Sequence, residues 1–447
     1  MSKSRRDATH MRKGQRSRHL GRIATLCVLS LFLTGASALG FAYLRLQGNI
    51  LQTDVDEYLG SERPADESGK AMNILVLGSD VRTGDSDIDG AGAAGDVDGM
   101  RADTTLLVHI SADRSRVEAV SIPRDTLVDI PSCEVHDGDD PNNDSKTEMS
   151  EPQKNEQFNS AFAIGGSKGH TASAAACTWK TVEKMTDVRI DGYIVVSFAG
   201  FKNLVDSLNG VPMYFEEDLE DSASGLNVSA GCQILDGDQA LALARARKGL
   251  GDGSDIGRIG RQQELITAMF RETSNLNLLT DMSALYRVLN AGTKSIETSQ
   301  GLGDIPALAR LANSLRNLDQ IHFVTMPWQA QGARVKMRRG ADKLWNALAK
   351  DQPVKLTVDE EGRIVDPDAA SSAAPSGSGD QGTSDGQGAS DSQGASEGQD
   401  SAGSDQGSDG SDGHGDGGSE TSSAQPASGQ QTTKPPACTK SIAKGKG

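Results

Sequence analysis

A chain of 447 residues with 36% apolar but only 4% aromatic side chains can bury one sizeable core, yet it does not have the make-up of a globular protein throughout. Its net charge of −17 argues against non-specific nucleic-acid binding, and no nucleic-acid partner is expected.

The first 22 residues run against that acidity, with eight Lys or Arg and a single Asp. Ile23 to Leu44 follows as 22 residues without a charge, bounded by Arg22 and Arg45 and long enough to cross a hydrocarbon core of about 30 Å. The basic flank predicts a cytoplasmic tail over 1–22, a transmembrane helix over 23–44 and a single-pass protein of the cell membrane with its remaining chain outside. Ala36-Ser37-Ala38 also resembles a signal-peptide cleavage site after a shorter apolar run, and either reading exports the rest. Residues 45–71 have the composition of a polar stalk, after which a folded domain is expected over 72–350.

Met72 to Gly78 predicts a buried strand ending at a glycine turn, with Asp80 and Arg82 just beyond it. Residues 83–100 have no hydrophobic period and predict a loop, whose Asp85, Asp87, Asp89, Asp96 and Asp98 could bind a cation loosely. Arg101-Ala-Asp103 opens a second strand, Thr104 to Ile110; a third, Arg116 to Ile122, ends in Pro123-Arg124-Asp125. An antiparallel middle strand would bring Asp80, Asp103 and Arg124 to one edge of the sheet. Open α/β sheets place ligand chemistry at such strand ends, although a polar turn is the plainer alternative.

Ser132 to Gln157 is polar and predicts a loop. Asn159, a candidate cap, precedes an alanine-rich helix from about Lys168 to Met185. A strand from Gly192 to Phe198 and a short helix from Phe201 to Leu208 come next, closed by Asn209-Gly210. A helix from about Asp236 to Ala244 leads into Arg245 and Arg247, which share a face only where the chain is extended.

Asp255-Ile-Gly-Arg258-Ile-Gly-Arg261-Gln262 then opens a helix on which Asp255, Arg258 and Gln262 share a face, with Arg261 beside it and Leu265 and Met269 continuing below. Arginines at the head of a core stripe belong on a cleft floor, and their planar donor forks suit phosphate oxygens. The alternative is a solvated, salt-bridged face with Asp255 as N-cap. Further helical spacing over 279–289, 305–315 and 341–349, with a strand over 321–326, makes this a layered αβα domain around a central mixed β-sheet. Residues 367–447 form a Ser/Gly/Asp-rich tail that cannot bury enough apolar surface to fold and is expected to be disordered.

Cys27 falls in the apolar span; Cys133, Cys177, Cys232 and Cys438 would lie outside, where disulfides persist. The absence of CxxC spacing argues against structural zinc. Of three possible pairings, loop length and position favour Cys133 with Cys177 beside the polar 132–157 loop, and Cys232 with Cys438.

Leu77-Gly-Ser-Asp80-Val-Arg82, Arg101-Ala-Asp103-Thr-Thr, Ser121-Ile-Pro-Arg124-Asp125, Phe158-Asn159-Ser-Ala-Phe, Leu235 to Arg247 and Asp255 to Gln262 stand in the order in which the LytR-CpsA-Psr family carries them. The chain resembles that family from about Met72 to Arg271, more weakly on to Ala349. The resemblance implies a cell-wall phosphotransferase that moves a phosphorylated glycopolymer from a polyprenyl pyrophosphate carrier to a peptidoglycan hydroxyl, assisted by Mg²⁺. By position, Asp80 and Asp103 would hold the metal. Arg82, Arg124, Arg245, Arg247, Arg258 and Gln262 would meet the pyrophosphate, with Asp255 and Gln262 orienting the arginines. Arg124, Asp103, Arg258, Asp255 and Arg261 make up the catalytic set. Ala244 departs from the family, which often has an aromatic residue there. A non-catalytic binder of polyprenyl phosphate and a pyrophosphate hydrolase remain alternatives. A nucleotide-binding protein would want a P-loop or GxGxxG after the first strand, and Gly78-Ser-Asp-Val-Arg is neither.

Overall fold

The computed structural model describes residues 4–80, 100–137, 147–246, 255–275, 281–315, 321–359, 361–365 and 438. The expected tail over 367–447, apart from Cys438, and the acidic 83–99 insert therefore lie outside the described residues. Helix α1 (Ser4–Gln47) contains, over Arg22–Gln47, a stretch long and apolar enough to cross a membrane. It overruns its expected end at Leu44, because Leu46 and Ile50 are already buried.

The stalk expected over 45–71 is largely part of the domain. Strand β1 (Leu51–Thr53) and helix α2 (Asp56–Leu59) lie within it, and Val55 and Leu59 enter the main core. Four of its apolar residues recur every four or five positions at 46, 50, 55 and 59 and are buried, while Leu51 is exposed, so a polar average concealed a one-sided pattern.

Strands β2 (Met72–Ser79), β3 (Ala102–Ile110) and β4 (Val117–Ser121) are neighbours, each antiparallel to the next. The side chains of β2 alternate: Leu75 and Leu77 face one core cluster, Ile74 and Val76 the other. The polar stretch expected as a loop over 132–157 is instead partly sheet. Strand β5 (Leu127–Ile130) pairs with β8 (Gln153–Gln157), and the short β6 (Glu134–Val135) with β7 (Glu148–Met149). Among the described residues of 132–157 only Cys133 and Val135 bury apolar side chains, too few to show a period.

Helix α3 (Ser160–Gly165) leads to α4 (Thr171–Thr186), whose Ala172, Ala174, Ala175 and Ala176 are buried as the small-residue face predicted. The approach is close: a Cβ on Gly165 would sit 2.7 Å from the Cβ of Cys177. Cys177 is bonded to Cys133, with Cα atoms 5.3 Å apart, as the loop argument favoured. The other favoured bond, Cys232 to Cys438, is not formed; Cys232 is a buried thiol.

Strand β9 (Gly192–Ser197) runs parallel to β2 and feeds α5 (Phe198–Ser207), capped by the Ser197 hydroxyl. Two hairpin pairs follow, β10 (Val211–Phe215) with β13 (Gly231–Leu235) enclosing β11 (Leu219–Asp221) with β12 (Leu226–Val228). Helices α6 (Gly237–Arg245), α7 (Asp255–Asn275) and α8 (Met282–Lys294) come next, then β14 (Ile296–Ser299), α9 (Ile305–Leu315) and β15 (His322–Thr325). The hairpin β16 (Trp328–Gln331) and β17 (Arg334–Met337) and helix α10 (Asp342–Ala349) follow, and β18 (Thr357–Val358) pairs with β19 (Ile364–Val365) after Val354 has entered the main core.

The main sheet has the order β1-β14-β9-β2-β3-β4-β15 and is mixed, with β1 parallel to β14 and β15 parallel to β4. One face is covered by α3, α4 and α10, through Phe162, Trp179, Leu344 and Trp345 among others; the opposite face takes Leu302 and Leu311 of the α9 region. A separate cluster joins α5, α6 and α7 to the β10–β13 pair. The result is the layered αβα domain that alternating elements imply.

Candidate active site

At the edge shared by the end of β2 and the start of β3, Gly78 pairs with Thr104 but Ser79 pairs with Ala102, so Asp103 is the extra residue of a β-bulge. A bulge turns one side chain and one carbonyl out of the regular ladder. Both are used here. Arg124, just after β4, donates from Nη1 to Asp103 Oδ1 at 2.6 Å, and Arg258 of α7 donates from Nη2 to the Asp103 carbonyl at 3.1 Å. The antiparallel middle strand thus brings Asp103 and Arg124 together, with Asp80 beside them accepting the Arg101 N–H at 3.4 Å.

Arg124 is fixed through its backbone as well. The Asn159 N–H donates to the Arg124 carbonyl at 3.1 Å, and the Phe158 N–H to that of Thr126 at 2.8 Å. Asn159 makes no side-chain cap, so its backbone rather than its amide supports the site. Asp125 lies 3.7 Å from Arg124 Nε and accepts from Arg334 Nη1 of β17 at 3.2 Å. No local spacing marks Arg334, which arrives from a hairpin more than two hundred residues away.

Helix α6 opens with a capping box formed by Asp236 and Gln239 and ends at Arg245, where Ala246 turns extended at φ −61° and ψ 135°. The chain therefore leaves the helix one residue later than expected. Helix α7 closes over this end: Arg261 Nη2 donates to the Ala246 carbonyl at 2.8 Å, and Gln262 Nε2 to that of Ala244 at 2.9 Å. These contacts satisfy carbonyls that a helix end leaves open. They make Arg261, expected in the catalytic set, and Gln262, expected to meet the pyrophosphate and orient the arginines, braces of the α6 terminus. Gln263 Nε2 donates to Ser121 Oγ at 2.9 Å and holds α7 against β4.

Asp103, Phe198, Arg245, Arg258 and Gln262 line a cleft of about 290 Å³, together with Thr104, Ala244, Asp221 at the end of β11 and Ser224 in the turn that follows. Arg258 is only 2% exposed, as its place at the head of a core stripe required. The Arg245 guanidinium lies over the Phe198 ring, 5.5 Å from its centroid. Phe198 supplies an aromatic wall where Ala244 offers none, and neither Phe198 nor Asp221 carried a sequence signal. Arg82 and Arg247 lie outside the described residues, and Asp255 is the first residue of α7.

Among the described residues no three His, Cys, Asp or Glu side chains cluster in the manner of a protein-built cation site. Mg²⁺ commonly takes only one or two carboxylates and completes its shell with water and phosphate oxygens, so it does not require such a cluster. A buried guanidinium, a second on an aromatic face and a third paired to a carboxylate can together neutralise and orient a pyrophosphate.

Residues 42–351 match the family model described as LytR_cpsA_psr. The probable cell wall biosynthesis protein LcpB of Corynebacterium glutamicum is 33% identical over 250 residues, 55% of this chain and 52% of LcpB, so the chain spans about half of that relative's length. The polyisoprenyl-teichoic acid–peptidoglycan teichoic acid transferase TagU of Bacillus mycoides is 28% identical over 59% of this chain and 72% of its own. Among solved structures, the LytR-Csp2A-Psr enzyme from Actinomyces oris matches with a TM-score of 0.47 and 20% identity, covering 67% of this chain and 96% of that one. With its matched span taking in the bulge, both arginine-bearing helices and the whole sheet, the chain belongs to the LytR-CpsA-Psr family.

Proposed function

We propose that the protein is a membrane-anchored phosphotransferase that moves a phosphorylated glycopolymer from a polyprenyl pyrophosphate carrier to a hydroxyl of peptidoglycan in cell-wall assembly. The observation that carries this reading is the bulge at Asp103, which couples Arg124 and the buried Arg258 beside a cleft also lined by Arg245. The names of relatives such as TagU, a teichoic acid transferase acting on peptidoglycan, support it. So does the apolar helix Arg22–Gln47, which would hold the domain close to a lipid-borne donor, with the basic head cytoplasmic and the domain outside.

In the reaction, the acceptor hydroxyl oxygen bonds to the phosphorus that carries the glycopolymer. The bond from that phosphorus to the bridging oxygen breaks, polyprenyl phosphate leaves, and the hydroxyl proton is released. Arg124, Arg245 and Arg258 position the pyrophosphate oxygens and stabilise the charge that builds on them. Asp80 and Asp103 would hold Mg²⁺, which supplies further neutralisation of the phosphates. Reconstituting the full chain with lipid-pyrophosphate-linked oligosaccharide, Mg²⁺ and peptidoglycan fragments tests this. Phosphodiester-linked oligosaccharide on peptidoglycan is the expected product; free phosphorylated oligosaccharide alone would make the protein a hydrolase, and unchanged donor a binder.

A further inference from the structure

Helix α8 is apolar on two sides. Ala284 is buried, and Val288 packs against the cluster built from α5, α6 and α7. Yet Met282, Tyr286 and Leu289 are 61%, 37% and 43% exposed. At roughly 100° per residue these three fall within about 60° of one another, on the side away from Ala284 and Val288. A surface helix of a water-facing domain carries polar residues on that side.

What borders this stripe is the end of the apolar helix. Thr293 lies on the same face, and there it is covered, with Asn49 Nδ2 donating to Thr293 Oγ1 at 3.1 Å and to Asn290 Oδ1 at 3.2 Å. Asn49 stands just beyond the last residue of α1, whose Gln47 is itself tied to the Gly303 carbonyl at 3.3 Å and the Ile305 N–H at 3.0 Å. Phe41, Tyr43 and Leu44 near the end of α1, and Leu51 on β1 at 60% exposure, two residues beyond Asn49, are exposed apolar side chains as well. Arg287 and Lys294, both exposed, flank the stripe along one side. Apolar side chains beside basic ones suit the boundary between anionic headgroups and acyl chains.

We propose that the Met282–Tyr286–Leu289 face of α8 docks into the headgroup boundary of the same bilayer that α1 crosses, giving the domain a second membrane contact. This rests on the reading of α1 as a span. Two contacts, one of them hydrogen-bonded to the other's end, hold the domain in one orientation over the lipid surface instead of letting it swing on a tether.

The test uses the full chain, with Cys27→Ser, Cys232→Ala and Cys438→Ser, in nanodiscs of phosphatidylcholine and phosphatidylglycerol. A nitroxide is attached in turn at Leu29→Cys on α1, Met282→Cys and Leu289→Cys on α8, and Glu217→Cys as an exposed site elsewhere. Collision rates with dissolved oxygen and a water-soluble nickel chelate are compared. The expected result is an oxygen-to-nickel ratio severalfold higher at 29, 282 and 289 than at 217. A high ratio at 29 with values at 282 and 289 equal to that at 217 overturns the docking while the span stands. A low ratio at 29 removes the span, and the docking with it. Exclusion of both reagents at 282 and 289, with spin–spin broadening, would assign the face to a second copy and overturn the proposal.

Discussion

Arg124 Nη1 and Asp103 Oδ1 stand 2.6 Å apart, and the Asp103 carbonyl on the same bulged residue receives Arg258. One residue therefore sets two guanidiniums. Arg124→Ala is expected to lower transfer by on the order of 100-fold or more, as loss of a preorganised charge-stabilising donor commonly does, with little change in melting temperature. Arg258→Lys keeps the charge but loses the planar fork and should fall in kcat more than in KM. Transfer assays with thermal melts check both, and near-normal turnover would remove these arginines from the chemistry.

Asp103→Asn should weaken the response to Mg²⁺ because an amide is a poorer ligand for a hard cation, and it also loosens Arg124. A Mg²⁺ titration of turnover in this variant and in Asp80→Asn separates the two roles. Both should need more Mg²⁺, while only Asp103→Asn should lose rate at saturating metal.

Phe198 supports Arg245 by its ring face, 5.5 Å from the guanidinium carbon. Phe198→Leu keeps the apolar bulk and removes the ring, at a cost of about 0.5–1 kcal/mol, or roughly 2- to 5-fold in kcat/KM. An unchanged kcat/KM would mean that the ring serves only to shape the cleft.

Breaking the Cys133–Cys177 bond by Cys133→Ser should lower stability by roughly 2 to 4 kcal/mol through the unfolded state. Denaturant unfolding with and without reductant measures it, and the variant should no longer respond to reductant through this pair.

Burial pushes the Glu297 carboxyl up to about 7 from an ordinary 4.5, although Thr171 and Tyr193 hydrogen-bond to it. The folded chain then binds more protons than the unfolded one across that interval. The associated stability is fully present below pH 4.5 and lost as pH rises through 7. Burial drives His170 the other way, to about 4 from 6.5, so its share is present above pH 6.5 and lost as pH falls through 4. Glu297→Gln should be more stable than the parent above pH 7, and its stability relative to the parent should rise between about pH 5 and 7, the His170 contribution being common to both. Melting curves across pH 4 to 9 check this; parallel profiles would show that Glu297 ionises in the folded state as readily as in the unfolded.

Much of the sheet was legible because Leu75, Leu77, Leu107 and Val120 lie in apolar runs that only a two-sided core can bury. Arg258 could be placed in advance for the same reason, standing about two helical turns above Leu265 at the head of a core stripe. The hairpins β10 to β13 and β16 to β17 were not legible, since strands of three to five residues with mixed side chains owe their place to backbone pairing and to what they pack on. Phe198, Asp221 and Arg334 reach the site by tertiary routes, and no local spacing announces a residue whose partner is remote. The stalk was misjudged because average polarity hid four periodic apolar anchors.

The bulge has a genetic consequence. Removing Asp103 alone would set Ala102 against Ser79 and Thr104 against Gly78 in one unbroken register, with Ala102 still facing the core it occupies now. Loss of a single codon should therefore yield a folded, membrane-held and inert protein, cheap for a lineage to reach and hard to detect by any measure of fold.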